Sequence, residues 1–223
     1  MPSAIRLAEW VVRYRADNGA PIDPVSLQKM LFYAHAFRLA RHGDSLFSEQ
    51  IKAWRHGPVV PQVWHHFGAG ATRVIFPNDG APQPQIEEDI ELELKNAVDF
   101  FSRYNTFVIS DATHKEDPWR ETWNERDEPS ATIPVRKIRA YYAELLADGE
   151  ESLSRHGLLN AVPEPRLGCY YQVGICVRKM IQHPLYRMDW ADAFSGPAAE
   201  DDPLPHHVFA PITKREFIPA SDL

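Results

Sequence analysis

The stretch IEEDIELELKNAVDFFSRY at residues 86–104 decides the fold class. Ile86, Ile90, Leu94, Ala97, Phe101 and Tyr104 recur every three or four residues, which lines one face of an α-helix and does not fit the two-residue period of a strand. Glu87, Glu88 and Asp89 crowd its first turn, where carboxylates complement the positive end of the helix dipole.

The same period recurs on both sides. Upstream, Ile5, Leu7, Ala8, Val11, Val12 and Tyr14 share a face behind a capping Ser3. Asp23-Pro24 then opens a long helix whose inward stripe is Leu27, Met30, Leu31, Ala34 and Phe37, with Lys29, His35, Arg38 and Arg41 largely off it and Gly43 as a left-handed exit. Residues 49–56 alternate as a short half-buried strand does, and Gly57-Pro58 ends it. Val60, Val63, Trp64 and Phe67 return to helical spacing, and 68–85 is a Gly- and Pro-rich loop around a small strand at 73–76. Downstream, Ser110 caps a short helix that Pro118 ends or kinks, with Trp119 and Trp123 one turn apart. Pro134 opens the last helix, with Val135, Ile138, Tyr142 and Leu145 inward and Asp148-Gly149 as its stop.

These elements predict a mainly α (α+β) protein: a compact helical domain over 1–148 with a small β-sheet, and a C-terminal extension over 149–223 packed on it. Eight prolines fall in that extension. Its apolar run at 169–181 and the alternating stretch at 206–218 are candidate strands to complete a sheet with 49–56.

Composition bounds the function. The chain has 223 residues, 44% apolar and 25% charged, the balance of an ordinary globular protein. Its two cysteines, Cys169 and Cys176, are too few for a disulfide framework and too far apart for a CxxC motif, which points to a reducing, cytoplasmic setting. The N-terminal apolar pattern is interrupted by Arg6, Glu9, Arg13 and Arg15, and no apolar run reaches membrane-spanning length, so no membrane association is expected. The net charge of -7 is unevenly spread: Lys and Arg against Asp and Glu count 8 to 5 over 1–70, 9 to 16 over 71–148 and 7 to 10 over 149–223. Nucleic acid is a poor partner for such a chain, because counterion release rewards a basic stripe.

Two stretches concentrate unusual chemistry. Trp54, Gly57, Pro58, Pro61 and Trp64 make a rigid corner of strand end, proline-fixed turn and helix start, with His56 as a polar contact; such a corner either holds the fold or meets a partner. In THKEDPW at 113–119, His114, Lys115, Glu116 and Asp117 place four polar side chains in one turn before Pro118 and Trp119, which reads as a recognition surface or as a helix end with solvated charges.

Together with LQKMLFYAHAF at 27–37, the stretches IKAWRHGPVVPQVW at 51–64 and THKEDPW at 113–119 resemble the Panacea antitoxin family of phages and bacterial toxin–antitoxin operons, over about residues 5 to 148. The resemblance implies a compact helical protein without chemistry of its own that neutralises a cognate toxin protein. It does so either by blocking the toxin or as an adaptor handing it to an ATP-dependent (AAA+) protease. The partner-binding candidates are then Trp54, His56, Gly57, Pro58, His114, Lys115, Glu116, Asp117 and Trp119. The family is paired with toxins of unrelated folds, so it does not identify the target.

Enzymatic readings are weaker. His65 and His66 are neighbours on a helix and point about 100° apart, so they do not make a ligand pair, and no metal or cofactor is expected. Arg178 and His183 form the R-x4-H spacing of HEPN ribonucleases, a pattern that 17 arginines and 10 histidines produce easily by chance; this ribonuclease is the alternative reading. Phosphate-loop, GxSxG and HExxH signatures are absent from the sequence.

Overall fold

The computed structural model of the chain describes residues 1–67, 74–78, 80–102, 104, 106–126 and 130–147, and the helical backbone of 148–155. Among them are seven α-helices and one two-stranded sheet: α1 (Ala4–Asp17), α2 (Pro24–His42), β1 (Lys52–Trp54), β2 (Gly57–Val59), α3 (Pro61–Phe67), α4 (Glu88–Phe101), α5 (Thr106–Lys115), α6 (Asp117–Glu125) and α7 (Val135–Arg155). The mainly helical class with a small sheet is what the sequence periods predict.

Helix α2 is the axis of the molecule, contacting α1, α3, α4, α5, α7 and β2. Every residue from Pro24 to Phe37 is buried. Lys29, at 0% exposure, and His35, at 1%, are therefore inside and not off the stripe as their positions suggest. With partners on every side, a helix has no solvent face to which a lone polar side chain can turn. Arg38 and Arg41 lie largely covered and reach carboxylates on α4, Asp89 and Glu93.

The ends of α1 and α2 obey their sequence signals. The Ser3 hydroxyl accepts from Arg6 N, Asp23 Oδ1 accepts from Val25 N and Ser26 N, and Gly43 sits at φ 79. In α4, Ile90, Leu94, Ala97 and Phe101 are buried as their period requires, and Tyr104 follows at 8% exposure. Helix α7 buries Ile138 and Tyr142, but Val135, expected inward, is 50% exposed because it is the first residue of the helix and overhangs the core.

Three local expectations are corrected. Gly57-Pro58 does not terminate the sheet but begins its second strand: β1 and β2 pair antiparallel, Lys52 with Val59, Ala53 with Pro58 and Trp54 with Gly57, across a turn at Arg55-His56. Proline is tolerated there because the Ala53 N–H points away from β2, donating to the Ala131 carbonyl at 2.8 Å, so Ala53 and Pro58 form a pair without mutual hydrogen bonds. Thr132 bridges to Lys52 on that outer edge. Ser110 is not a cap; α5 begins at Thr106 and Ser110 is buried within it. Finally, α7 runs through Asp148-Gly149 to Arg155, since an interior glycine costs only about 1 kcal/mol and helix-compatible residues follow. Ile75 bridges to Ile22, a fragment of the small strand expected at 73–76. The candidate strands at 169–181 and 206–218 lie outside the described residues, as do Arg178 and His183.

Candidate functional site

The three unusual stretches, far apart in sequence, meet at one corner of the bundle. Helix α2 supplies Gln28, Lys29 and Tyr33, the β-hairpin supplies Trp54 to Val60, and the α5–α6 junction supplies Ser110 to Trp119. The hairpin is held by side chains from both neighbours. Gln28 Oε1 accepts from Val60 N at 2.8 Å, and Lys29 Nζ donates to the Pro58 carbonyl at 3.2 Å. Ser110 Oγ donates to the His56 carbonyl at 3.0 Å, and Trp119 Nε1 donates to the Trp54 carbonyl at 2.9 Å. Val60 N and the Pro58 and His56 carbonyls, which the pairing of the two strands leaves out, are thereby satisfied, as buried backbone polar groups must be.

Gly57 makes this close approach possible. It has φ 103, and a Cβ built on it would lie 2.5 Å from Lys29 Nζ and 2.6 Å from Thr113 Oγ1. Here both backbone conformation and space exclude a side chain.

An aromatic ladder runs outward from the corner. His114 stacks on Trp119 with centroids 4.2 Å apart, Trp119 stacks on Trp123 at 5.3 Å, and the Arg126 guanidinium lies over Trp123 at 3.3 Å. Burial pushes the His114 pKa down to about 3, helped by the positive charge of Lys29, so the imidazole is neutral. Trp54 meets Trp64 edge to face at 6.3 Å and donates from Nε1 to Ser130 Oγ at 2.8 Å.

Glu116 is the residue between α5 and α6, and its side chain turns inward. Tyr33 Oη donates to Oε1 at 3.0 Å and Tyr142 Oη donates to Oε2 at 2.5 Å, which ties α2 and α7 to the junction. Burial pushes the carboxyl up to about 8, against the opposing pull of the two phenol donors.

Of the nine candidate residues, Trp54, His56, Gly57, Pro58, Glu116 and Trp119 are buried in this corner and His114 is partly buried in its ladder. THKEDPW is thus not a run of solvated charges. Lys115 alone is exposed, pairing with Asp111 at 2.9 Å, and half-exposed Asp117 pairs with Arg120. Gln28, Lys29, Tyr33, Ser110, Thr113 and Tyr142 complete the corner and were not among the candidates. One signal for the α2 residues was available: Lys29 is the only charged residue from Pro24 to Phe37, as expected of a helix buried all round. Nothing in the sequence marks Tyr142 as a partner of Glu116.

Among the described residues no three His, Cys, Asp or Glu side chains are placed to share a metal ion, and no helix is long and apolar enough to cross a membrane. A groove of about 400 Å³ lies elsewhere, between α1, α3 and the 74–84 loop.

Residues 27–120 match the family described as "Antitoxin SocA-like, Panacea domain". The matched region begins in α2 and ends just after Trp119, taking in all nine candidate residues, while Trp123, Arg126, Ser130 and Tyr142 lie beyond it. A curated relative is "Antitoxin SocA" of Caulobacter vibrioides (strain NA1000 / CB15N), 38% identical over 56 residues, which are 25% of this chain and 30% of that protein. The chain thus spans less than a third of the relative's length. No solved structure matches the chain.

Proposed function

We propose that this protein is an antitoxin that binds a cognate protein toxin and neutralises it without catalysing a reaction. The observation that carries the reading is the coincidence of two boundaries: the Panacea match spans α2 to α6, and the same elements build the hairpin corner. The buried members of that corner, Trp54, His56, Gly57, Pro58, Glu116 and Trp119, serve as its frame. The toxin contact falls on what the frame displays: Arg55 in the hairpin turn, Lys115, Asp117 and Arg120 at the α5–α6 junction, and the Arg126–Trp123 stack that ends the ladder. Aromatic and arginine side chains on rigid supports are the residue types that dominate binding energy at protein interfaces.

Neutralisation runs either by occlusion of the toxin or by delivery to an ATP-dependent protease in the cytoplasm. An adaptor needs a second surface, since tethering acts by raising effective concentration, and residues 149–223, outside the matched region, are where it would lie. Co-expression tests the reading. The product of the adjacent open reading frame should arrest growth alone and be silenced with this protein; no arrest, or no rescue, contradicts it. A toxin half-life that shortens when the protein is present assigns the adaptor mode, and an unchanged one assigns occlusion.

A further inference from the structure

Glu116 stands at a break in the chain. Its backbone is extended, at φ -85 and ψ 133, between the last residue of α5 and the first of α6. Its own amide donates to the Thr113 carbonyl and its carbonyl accepts from Arg120 N, so the residue belongs to both helices. The carboxyl reaches in the opposite sense, to one phenol on α2 and one on α7. Three separate segments therefore meet on a single ionisable group.

The surroundings are apolar. Tyr33 stacks on Phe101 with centroids 4.1 Å apart, and Tyr142 meets Phe32 and Phe37 edge-on at 5.9 and 5.5 Å. From α2, Tyr33 faces the carboxyl directly, while Lys29, one turn earlier, directs its ammonium to the Pro58 carbonyl. From α7, Tyr142 faces it, with Tyr141 alongside at 5.2 Å. On α5, His114 is neutral and stacked on Trp119, and Lys115 is paired with Asp111 at the surface. On α6, Asp117 pairs outward with Arg120.

We propose that Glu116 is a proton-operated latch: neutral, it holds the α5–α6 corner against α2 and α7; ionised, it draws water toward the pocket and loosens the corner. The proton leaves to bulk water. The neutral acid needs no counter-charge in an apolar site and can itself donate to one phenol oxygen while accepting from the other. The carboxylate can accept from both phenols, but it must give up its hydration to stay, and burial disfavours the charged form. The group's position, near 8, places the change just above neutrality. The corner it would loosen displays Lys115, Asp117 and Arg120, so an effect on toxin binding rests on the antitoxin reading, whereas the latch itself does not.

The test uses the full chain without a partner. Carbon-13 NMR of labelled glutamate, with Glu116→Gln to assign the resonance, should show Glu116 titrating near 8. Amide exchange over 113–122, corrected for the intrinsic pH dependence of exchange, should then rise by up to about tenfold per pH unit as pH climbs from the ordinary carboxylate range toward that midpoint, and level off above it, where the closed and loosened forms are both ionised. In Glu116→Gln the corrected exchange should be flat. Titration in the ordinary carboxylate range, corrected exchange that is flat in the wild type, or the same rise in the Gln variant overturns the proposal. Should Glu116→Gln not fold, Tyr142→Phe replaces it: loss of one donor to the carboxylate should move the levelling-off to higher pH, and an unmoved levelling-off overturns the latch. Because no partner is present, these results stand apart from the co-expression outcome.

Discussion

Replacing Gly57 by alanine attacks the corner at its tightest point. Two separate costs follow from the structure. The first is conformational: at φ 103 an L-residue is strained, at about 1–2 kcal/mol by the left-handed penalty. The second is steric: the new methyl would meet Lys29 Nζ at 2.5 Å, Thr113 Oγ1 at 2.6 Å and Lys29 Cε at 2.9 Å. Lys29 is 0% exposed and Thr113 is 0% exposed, so neither can swing into solvent, and overpacking of this kind costs typically about 1–3 kcal/mol. The expected loss is about 2–5 kcal/mol. Gly19 provides the internal control: its φ is 70 and nothing lies within 4 Å of a Cβ there, so Gly19→Ala should show only the conformational cost. Urea unfolding of the two variants, read by tryptophan fluorescence, gives the steric part as their difference. Equal losses for Gly57→Ala and Gly19→Ala would refute the claim that the hairpin is clamped against α2 and α5.

Other outcomes follow from the same packing. Leu94→Ala should destabilise the protein by about 2–5 kcal/mol in chemical denaturation, since Leu94 is fully buried in the α4 stripe. Trp119→Phe keeps most of the ring but removes the indole donor to the Trp54 carbonyl, at about 0.5–1.5 kcal/mol, and should also lower the unfolding midpoint. His35 has its pKa pushed down to about 4 by burial against Phe47, and its unfolded value is 6.5. The unfolded state therefore takes up the proton first, so this contribution to stability is present above 6.5 and drains away as pH falls toward 4. His35→Leu should flatten that limb of a plot of unfolding free energy against pH, and an unchanged limb would exclude His35 as its source.

How far the sequence spoke for the structure depended on the kind of signal. Apolar periods located α1, α2, α3, α4 and α7, because burial of one stripe is a local property that spacing records: Leu94, Ala97 and Phe101 are all at 1% exposure or less. Local caps such as Ser3, Asp23 and Gly43 were legible for the same reason. Partners across the chain were not. Glu116 reads as a solvated charge until Tyr33, 83 residues away, and Tyr142, 26 residues away, are seen to enclose it. Pro58 reads as a terminator until the Ala53 amide is seen to pair with Ala131 instead. Lys29 reads as an off-stripe cation because an ordinary helix has a wet side, and α2 has none within Pro24–Phe37. The motifs therefore mark residues that meet in one corner of the fold, while the division into buried and displayed side chains needed the tertiary structure.

The antitoxin reading is tested most directly by association of purified components. This protein and the product of the adjacent open reading frame, mixed and followed by isothermal titration calorimetry, should form a saturable complex of fixed stoichiometry. Replacing Lys115 and Arg120 together by glutamate should weaken it at least tenfold while leaving the fold intact by circular dichroism. No heat of association with a correctly folded partner, at concentrations well above micromolar, would contradict the proposal that this chain acts by binding a toxin.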